Sequence, residues 1–385
     1  MLRRDRGEGG QRVTSVELFF DLVYVLAVTQ LSHLLLEHLD ARGAAQMALL
    51  LVAVWIAWVY SAWFTNWFDP NRRPVRLVLL GAMLASLLMS ASLPEAFGER
   101  GLLFAGAYVA MQVGRTMFIA ANLRDEPALR RNFQRVLSWL LAAGMLWLAG
   151  GLAHGAAREA LWLAALVVDF GAPMVGFWTP GLGRSRTTDW TITGGHFGER
   201  FPLFMILALG ESILVTGSVF GELPLTAASV AAFVVAFLGS VALWWVYFDR
   251  GAEAAGEVMA GSADPGRLGR SAYTYCHLPM VAGVIVTAVG DDLVIHHPGG
   301  HADVATTNTV LLGPALFLAG HALFKRVVFG RLSLSRLLAI AALAVLWPLG
   351  PSLAPLLLAS VATLVVAAVA VSDTRTAHAR APSPG

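Results

Sequence analysis

The chain has 385 residues, 57% of them hydrophobic and only 14% charged, with a mean hydropathy of +0.66. Soluble globular proteins carry roughly 25% charged residues, so this composition excludes a water-soluble or disordered chain and points to a membrane. One cysteine, Cys276, excludes an internal disulfide framework and a multi-cysteine metal site, and a net charge of +2 is too small for a nucleic-acid binder.

A bilayer-crossing helix needs about 20 mostly apolar residues. In chain order, such stretches are predicted at 16–36, 44–66, 75–93, 101–121, 133–152, 160–178, 201–220, 226–248, 271–290, 306–324, 334–349 and 352–371. The expected fold class is therefore an all-α polytopic integral membrane protein of about 12 transmembrane helices. The last two stretches, parted only by Leu349-Gly350-Pro351, also read as one hairpin that does not fully cross. Helix 1 follows a basic segment and lacks a small-residue cleavage site, so it is expected to act as an uncleaved anchor.

Orientation follows from the basic residues, which accumulate in cytoplasmic loops. With the N-terminus inside, the outside loops hold only Arg42, Arg100 and Arg158, and Arg115 lies within a span. Every other basic residue, from Arg3, Arg4, Arg6 and Arg12 to Arg375 and Arg380, then falls inside. Both termini are expected in the cytoplasm of a bacterial cell, in its inner membrane; Lys325 is the only lysine, a bias of GC-rich coding.

An internal duplication is the next expectation. Arg131–Gly150 aligns without gaps on Arg331–Gly350, matching Leu137/Leu337, Ala142/Ala342, Leu146/Leu346 and Trp147/Trp347. Trp67-Phe68-Asp69 matches Tyr247-Phe248-Asp249, and Glu17-Leu18-Phe19 matches Glu199-Arg200-Phe201. The common order predicts a parallel six-plus-six repeat. The expected organisation is a tail over 1–15, repeats over 16–185 and 186–371, and a disordered tail over 372–385.

Charges within spans are costly, roughly 2.5–3.5 kcal/mol on insertion scales, and face the bundle interior. They are Asp21, Arg115, Asp169 and Glu211. Depth along the helices suggests a cytoplasmic-side Asp21–Arg115 pair and a central pair of carboxylates, Asp169 and Glu211, each about ten residues into its span. Helical phase groups Glu17, Asp21 and Tyr24 on one face, bordered near the outer end by His33, and places His196, Arg200 and Glu211 on another. Pro173, between Gly171 and Gly176, is expected to break span 6 and free backbone carbonyls. The outer segment Gly290–Asp303 reads as a solvated acidic loop, and His277 and His321 as satisfied core histidines. No Walker A loop, dinucleotide fingerprint, nucleophile elbow or His-Glu-x-x-His occurs.

Three stretches carry a family resemblance. Glu17-Leu18-Phe19-Phe20-Asp21-Leu22-Val23-Tyr24 through Gln30-Leu31-Ser32-His33 resembles the opening of the bacterial low-temperature-requirement A family. His196-Phe197-Gly198-Glu199-Arg200 through Leu209-Gly210-Glu211 is similar to its central motif, and Tyr275-Cys276-His277-Leu278-Pro279 to a later one. The resemblance implies a multi-pass membrane protein and supplies no substrate. Phe20-Asp21 early in span 1 of a six-plus-six repeat is also faintly similar to one class of potassium channels.

These readings converge on a secondary transporter, proton- or cation-coupled, of an unknown small solute. The candidate substrate- or ion-binding residues are Glu17, Asp21, His33, Arg115, Asp169, His196, Glu199, Arg200 and Glu211. No metal, cofactor or enzymatic activity is expected. The expected partners are the lipid bilayer and a small solute or ion, with homo-oligomers open and nucleic acid excluded. The rival readings are a six-plus-six ion channel and a membrane-embedded lipid-modifying or stress-adaptation protein.

Overall fold

The structure, a computed structural model, describes residues 2–3, 12–190, 192–249 and 251–378. Arg4, Arg6, Arg250 and Arg380, most of the N-terminal tail and half of the C-terminal one lie outside the described residues. Among the described residues the chain is helical, and strand pairing is confined to isolated bridges, as between Arg3 and Phe68. Among the described residues eleven helical stretches are long and apolar enough to cross a bilayer, and one further apolar helix, at 17 residues, is slightly shorter. The chain is an all-α polytopic membrane protein.

The helices are α1 Ser15–Glu37, α2 Ala41–Trp67, α3 Arg73–Ala91, α4 Gly101–Ala121, α5 Pro127–Leu152, α6 Gly155–Gly171, α7 Gly194–Glu222, α8 Ala227–Phe248, α9 Gly251–Ala260, α10 Pro265–Leu268, α11 Cys276–His296, α12 Val304–Phe329, α13 Leu334–Leu346 and α14 Pro355–His378. Their starts are set by local chemistry. Thr14 and Glu17 form a reciprocal capping box on α1. Asp303 caps α12 through the Thr306 amide at 2.7 Å, and that hydrogen bond holds its carboxyl below the usual range. Gly330, at φ +72°, ends α12 in the left-handed conformation that glycine adopts without strain.

Several boundaries differ from the sequence reading. The seventh span starts at Gly194 and not at 201, so His196, Glu199 and Arg200 are helical. The sixth starts earlier and ends at Gly171, which leaves Asp169 in its last turn and not ten residues deep. Pro173 does not break a span; it lies beyond the helix end, where its carbonyl accepts from Arg270 Nη1 at 2.9 Å. Asp291, Asp292 and His296 lie within α11 and not in a loop. Span 11 is α13 followed by a 3-10 turn over Trp347–Ser352, and α14 keeps residues 372–378 helical where a tail was expected.

Packing divides the chain into two compact units, 1–200 with 259–270, and 201–258 with 271–385. The boundary falls within α7. In the first unit α1 packs on α2 and α3, and α4 on α3 and α5, while α6 lies against α5 and α2. Phe64, Trp67, Phe68 and Phe133 form a buried aromatic cluster there, covered by Trp190.

The segment after α6 turns tightly at Gly176 (φ +63°), where a Cβ would stand 2.5 Å from the Ser185 carbonyl oxygen. Gly176→Ala is expected to cost about 1–2 kcal/mol through the left-handed backbone alone, seen as a lower Tm in detergent. An unchanged Tm would show that the turn is not held.

In the second unit α11 and α12 approach backbone to backbone. A Cβ on Gly283 would meet the Phe317 amide at 2.5 Å, and one on Gly313 the Thr287 amide at 2.6 Å. Small residues at such seams let membrane helices touch closely. A π-helical turn over Gly269–Tyr275 precedes α11. Pro279, one turn into α11, has no N–H to give the Tyr275 carbonyl, which accounts for the widened turn there.

Candidate functional site

In α1, Glu17 and Asp21 are one turn apart and therefore share a face. In α7, His196 and Arg200 have the same spacing. The two helices meet so that both pairs match in register, with a sequence separation of 179 in each case. His196 Nε2 lies 2.7 Å from Glu17 Oε1, and Arg200 Nη2 donates to Asp21 Oδ1 at 2.8 Å. All four side chains are fully buried. The result is a two-rung polar ladder inside an apolar bundle.

Helix α2 completes each rung. Trp58 Nε1 donates to Asp21 Oδ1 at 2.7 Å and its ring underlies the Arg200 guanidinium. Asn66 exchanges hydrogen bonds with the Thr193 backbone, which orients its amide, and Asn66 Nδ2 then donates to His196 Nδ1 at 3.1 Å. With Nδ1 accepting, the ring proton resides on Nε2 and points at Glu17. Glu17 Oε2 accepts from the Thr14 amide and hydroxyl, each at 2.8 Å.

Arg115 does not pair with Asp21, contrary to the expectation from depth. Depth fixes height along a helix but not direction around it, and Arg200, just ahead of the predicted start of span 7, takes the carboxylate. Arg115 Nη1 donates to Ser61 Oγ at 2.7 Å, and Nη2 to Gln112 Oε1. Gln112 Nε2 donates to the Tyr108 hydroxyl at 3.3 Å, which donates to Asp169 Oδ2 at 2.7 Å. Trp147 Nε1 donates to the same oxygen at 2.9 Å. Asp169 is thus held by neutral donors only, with Oδ1 buried and without a hydrogen-bond partner among the described residues. Asp21 Oδ2 and the Arg200 Nε and Nη1 groups are buried in the same condition.

His33 is exposed on α1, and Glu199 is exposed with the Val13 amide donating to its Oε2 at 2.9 Å. Glu211 is buried in the second unit, beside Ser212, whose hydroxyl meets that of Ser240. His277 and His321 are buried and satisfied: Tyr247 lies 2.8 Å from His277 Nε2, and Arg336 Nε donates to His321 Nδ1 at 3.2 Å. Among the described residues no cluster of three or more metal-ligating side chains forms.

Residues missed from sequence are Trp58, Ser61, Asn66, Tyr108, Gln112 and Trp147, all neutral. A census of neutral hydrogen-bonding groups within spans would have found Ser61, Asn66 and Gln112. Arg158, assigned to an outside loop, is instead buried in the first turn of α6.

The model of the family described as Bacterial low temperature requirement A protein (LtrA) matches residues 12–371. The chain belongs to the LtrA family. A Rhizobium meliloti (strain 1021) protein, named Uncharacterized protein RA0937, is 38% identical over 360 residues, covering 92% of this chain and 87% of that one. No solved structure matches the chain. The matched LtrA segment contains every rung of the ladder and the whole Arg115–Asp169 chain.

Proposed function

We propose that this LtrA protein is a secondary transporter of a small solute, coupled to protons or another cation, and not an enzyme. It resides in the bacterial inner membrane with both termini in the cytoplasm, as the loop distribution of Arg and Lys supports. The matched sequence stretches support a parallel six-plus-six duplication behind this arrangement.

The observation that carries the reading is the contrast between two buried carboxylates. Asp21 is fixed by Arg200, so neutralising it would strand a buried cation. Asp169 accepts two neutral hydrogen bonds on Oδ2, and its Oδ1 has no hydrogen-bond partner among the described residues. It can take up a proton on Oδ1 and keep both existing bonds. A group that tolerates either charge state is what a coupling site requires, and Asp21 and Arg200 then serve as the rigid frame. The bare Arg200 nitrogens suit an anionic part of a solute. Glu211 is the corresponding candidate in the second unit.

The test is proton movement in proteoliposomes carrying an internal pH dye, challenged with a panel of amino acids, metabolites and ions under an imposed pH gradient. Solute-dependent proton movement is expected, falling about tenfold or more in Asp169→Asn, the rate equivalent of 1.4 kcal/mol. Unchanged movement in Asp169→Asn would remove this carboxylate from the mechanism. Steady solute-independent conductance in a planar bilayer would replace the carrier with a channel, and altered lipid headgroups or acyl chains in a deletion strain would favour lipid chemistry.

A further inference from the structure

We infer that the groove between α13 and α14 is a binding site for an anionic phospholipid, with the headgroup at the basic end of the groove and an acyl chain along it. The groove belongs entirely to the second unit and has a volume of about 1120 Å3. One end is lined by Lys325, Arg331, Ser333, Ser335 and Asp373. The rest is apolar, with Leu338, Ala342 and Val365 among its walls. From Ser335 to Ala342 the α13 wall runs about 10 Å, and from Asp373 to Val365 the α14 wall runs about 12 Å. A polar head joined to a long apolar limb is the shape of a lipid and not of a soluble anion.

The charge balance at the polar end decides the sign of the ligand. Asp373 is engaged by Arg336, whose Nη1 and Nη2 donate to Oδ1 at 3.1 Å and Oδ2 at 2.6 Å. This bidentate pair neutralises the carboxylate. Lys325 stands farther off, 3.5 Å from Asp373 Oδ2, and Arg331 is exposed. Lys325 and Arg331 therefore leave an excess of positive charge, and the Ser333 and Ser335 hydroxyls stand beside them. Basic pockets between membrane helices hold lipid phosphates in this way.

Width comes from small side chains. Ala339 and Ala342 on α13 and Ala368 on α14 all line the groove, and a larger residue at these positions would take up its space. A second groove, between α8 and α14, ends near Arg375. It lacks the basic cluster and serves as the internal comparison.

The experiment uses the full chain in nanodiscs of phosphatidylcholine, with or without phosphatidylglycerol, and measures Tm by intrinsic fluorescence. Phosphatidylglycerol is expected to raise Tm by on the order of 4 °C. The double substitution Lys325→Gln/Arg331→Gln should remove most of that rise, while Arg375→Ser should retain it. Ala342→Phe should abolish the rise and leave the Tm in phosphatidylcholine unchanged, and it decides the matter if the double variant fails to fold. An equal rise in all variants, no preference for phosphatidylglycerol, or the same rise with inorganic phosphate in detergent would each overturn the inference.

Discussion

Asp21→Ala is expected to destabilise the protein by about 3–5 kcal/mol, because it leaves the Arg200 guanidinium charged and fully buried without its counter-ion. Arg200→Met should cost a similar amount, since among the described residues Asp21 would then keep only the Trp58 hydrogen bond. The double variant Asp21→Leu/Arg200→Met should be much less damaging than the sum of the two. A buried pair contributes less than either orphaned charge costs, and an apolar pair of similar volume suits the site. The measurement is a double-mutant cycle on unfolding in detergent. Additive losses would mean that the two side chains do not interact, and the ladder would be wrong.

A second large effect is expected at Arg158. Its guanidinium donates to the carbonyls of Gly150, Gly151 and Ala153 at the end of α5, and to those of Ala96 and Gly98 between α3 and α4. Removing it leaves several carbonyls short of donors, each hydrogen bond to a charged group being worth about 1.5–3 kcal/mol. These contributions overlap, so Arg158→Met is expected to cost about 3 kcal/mol in total. Arg158→Lys should rescue little, because a point ammonium cannot span carbonyls from two connections. Wild-type stability in Arg158→Met would show that water or backbone adjustment replaces the guanidinium.

The contrast between these two arginines shows what the sequence makes legible. Span existence follows from apolar length, so α4 at Gly101–Ala121 agrees with the predicted 101–121 and α8 departs by one residue. Span ends are harder where polar side chains satisfy one another inside the bundle. His196 and Arg200 fell ahead of the predicted start of span 7, although helical phase put them on its face, because nothing local announces that Glu17 and Asp21 receive them. Arg158 read as loop for the same reason, its partners being carbonyls, which no sequence distinguishes. The equal four-residue spacing of the two acidic and two basic positions was visible; their pairing across helices distant in sequence required the fold. The Arg115–Asp169 chain was hidden because its links are an amide and a phenol.

Glu17 joins two places: one oxygen secures the start of α1 and the other receives His196. The first turn of that helix is therefore stitched to an interior bond. Any event that draws the imidazole away loosens the carboxylate that also receives the Thr14 amide and hydroxyl. Fraying at the membrane surface thus becomes a local gauge of what happens among buried side chains, readable without a probe placed in the core.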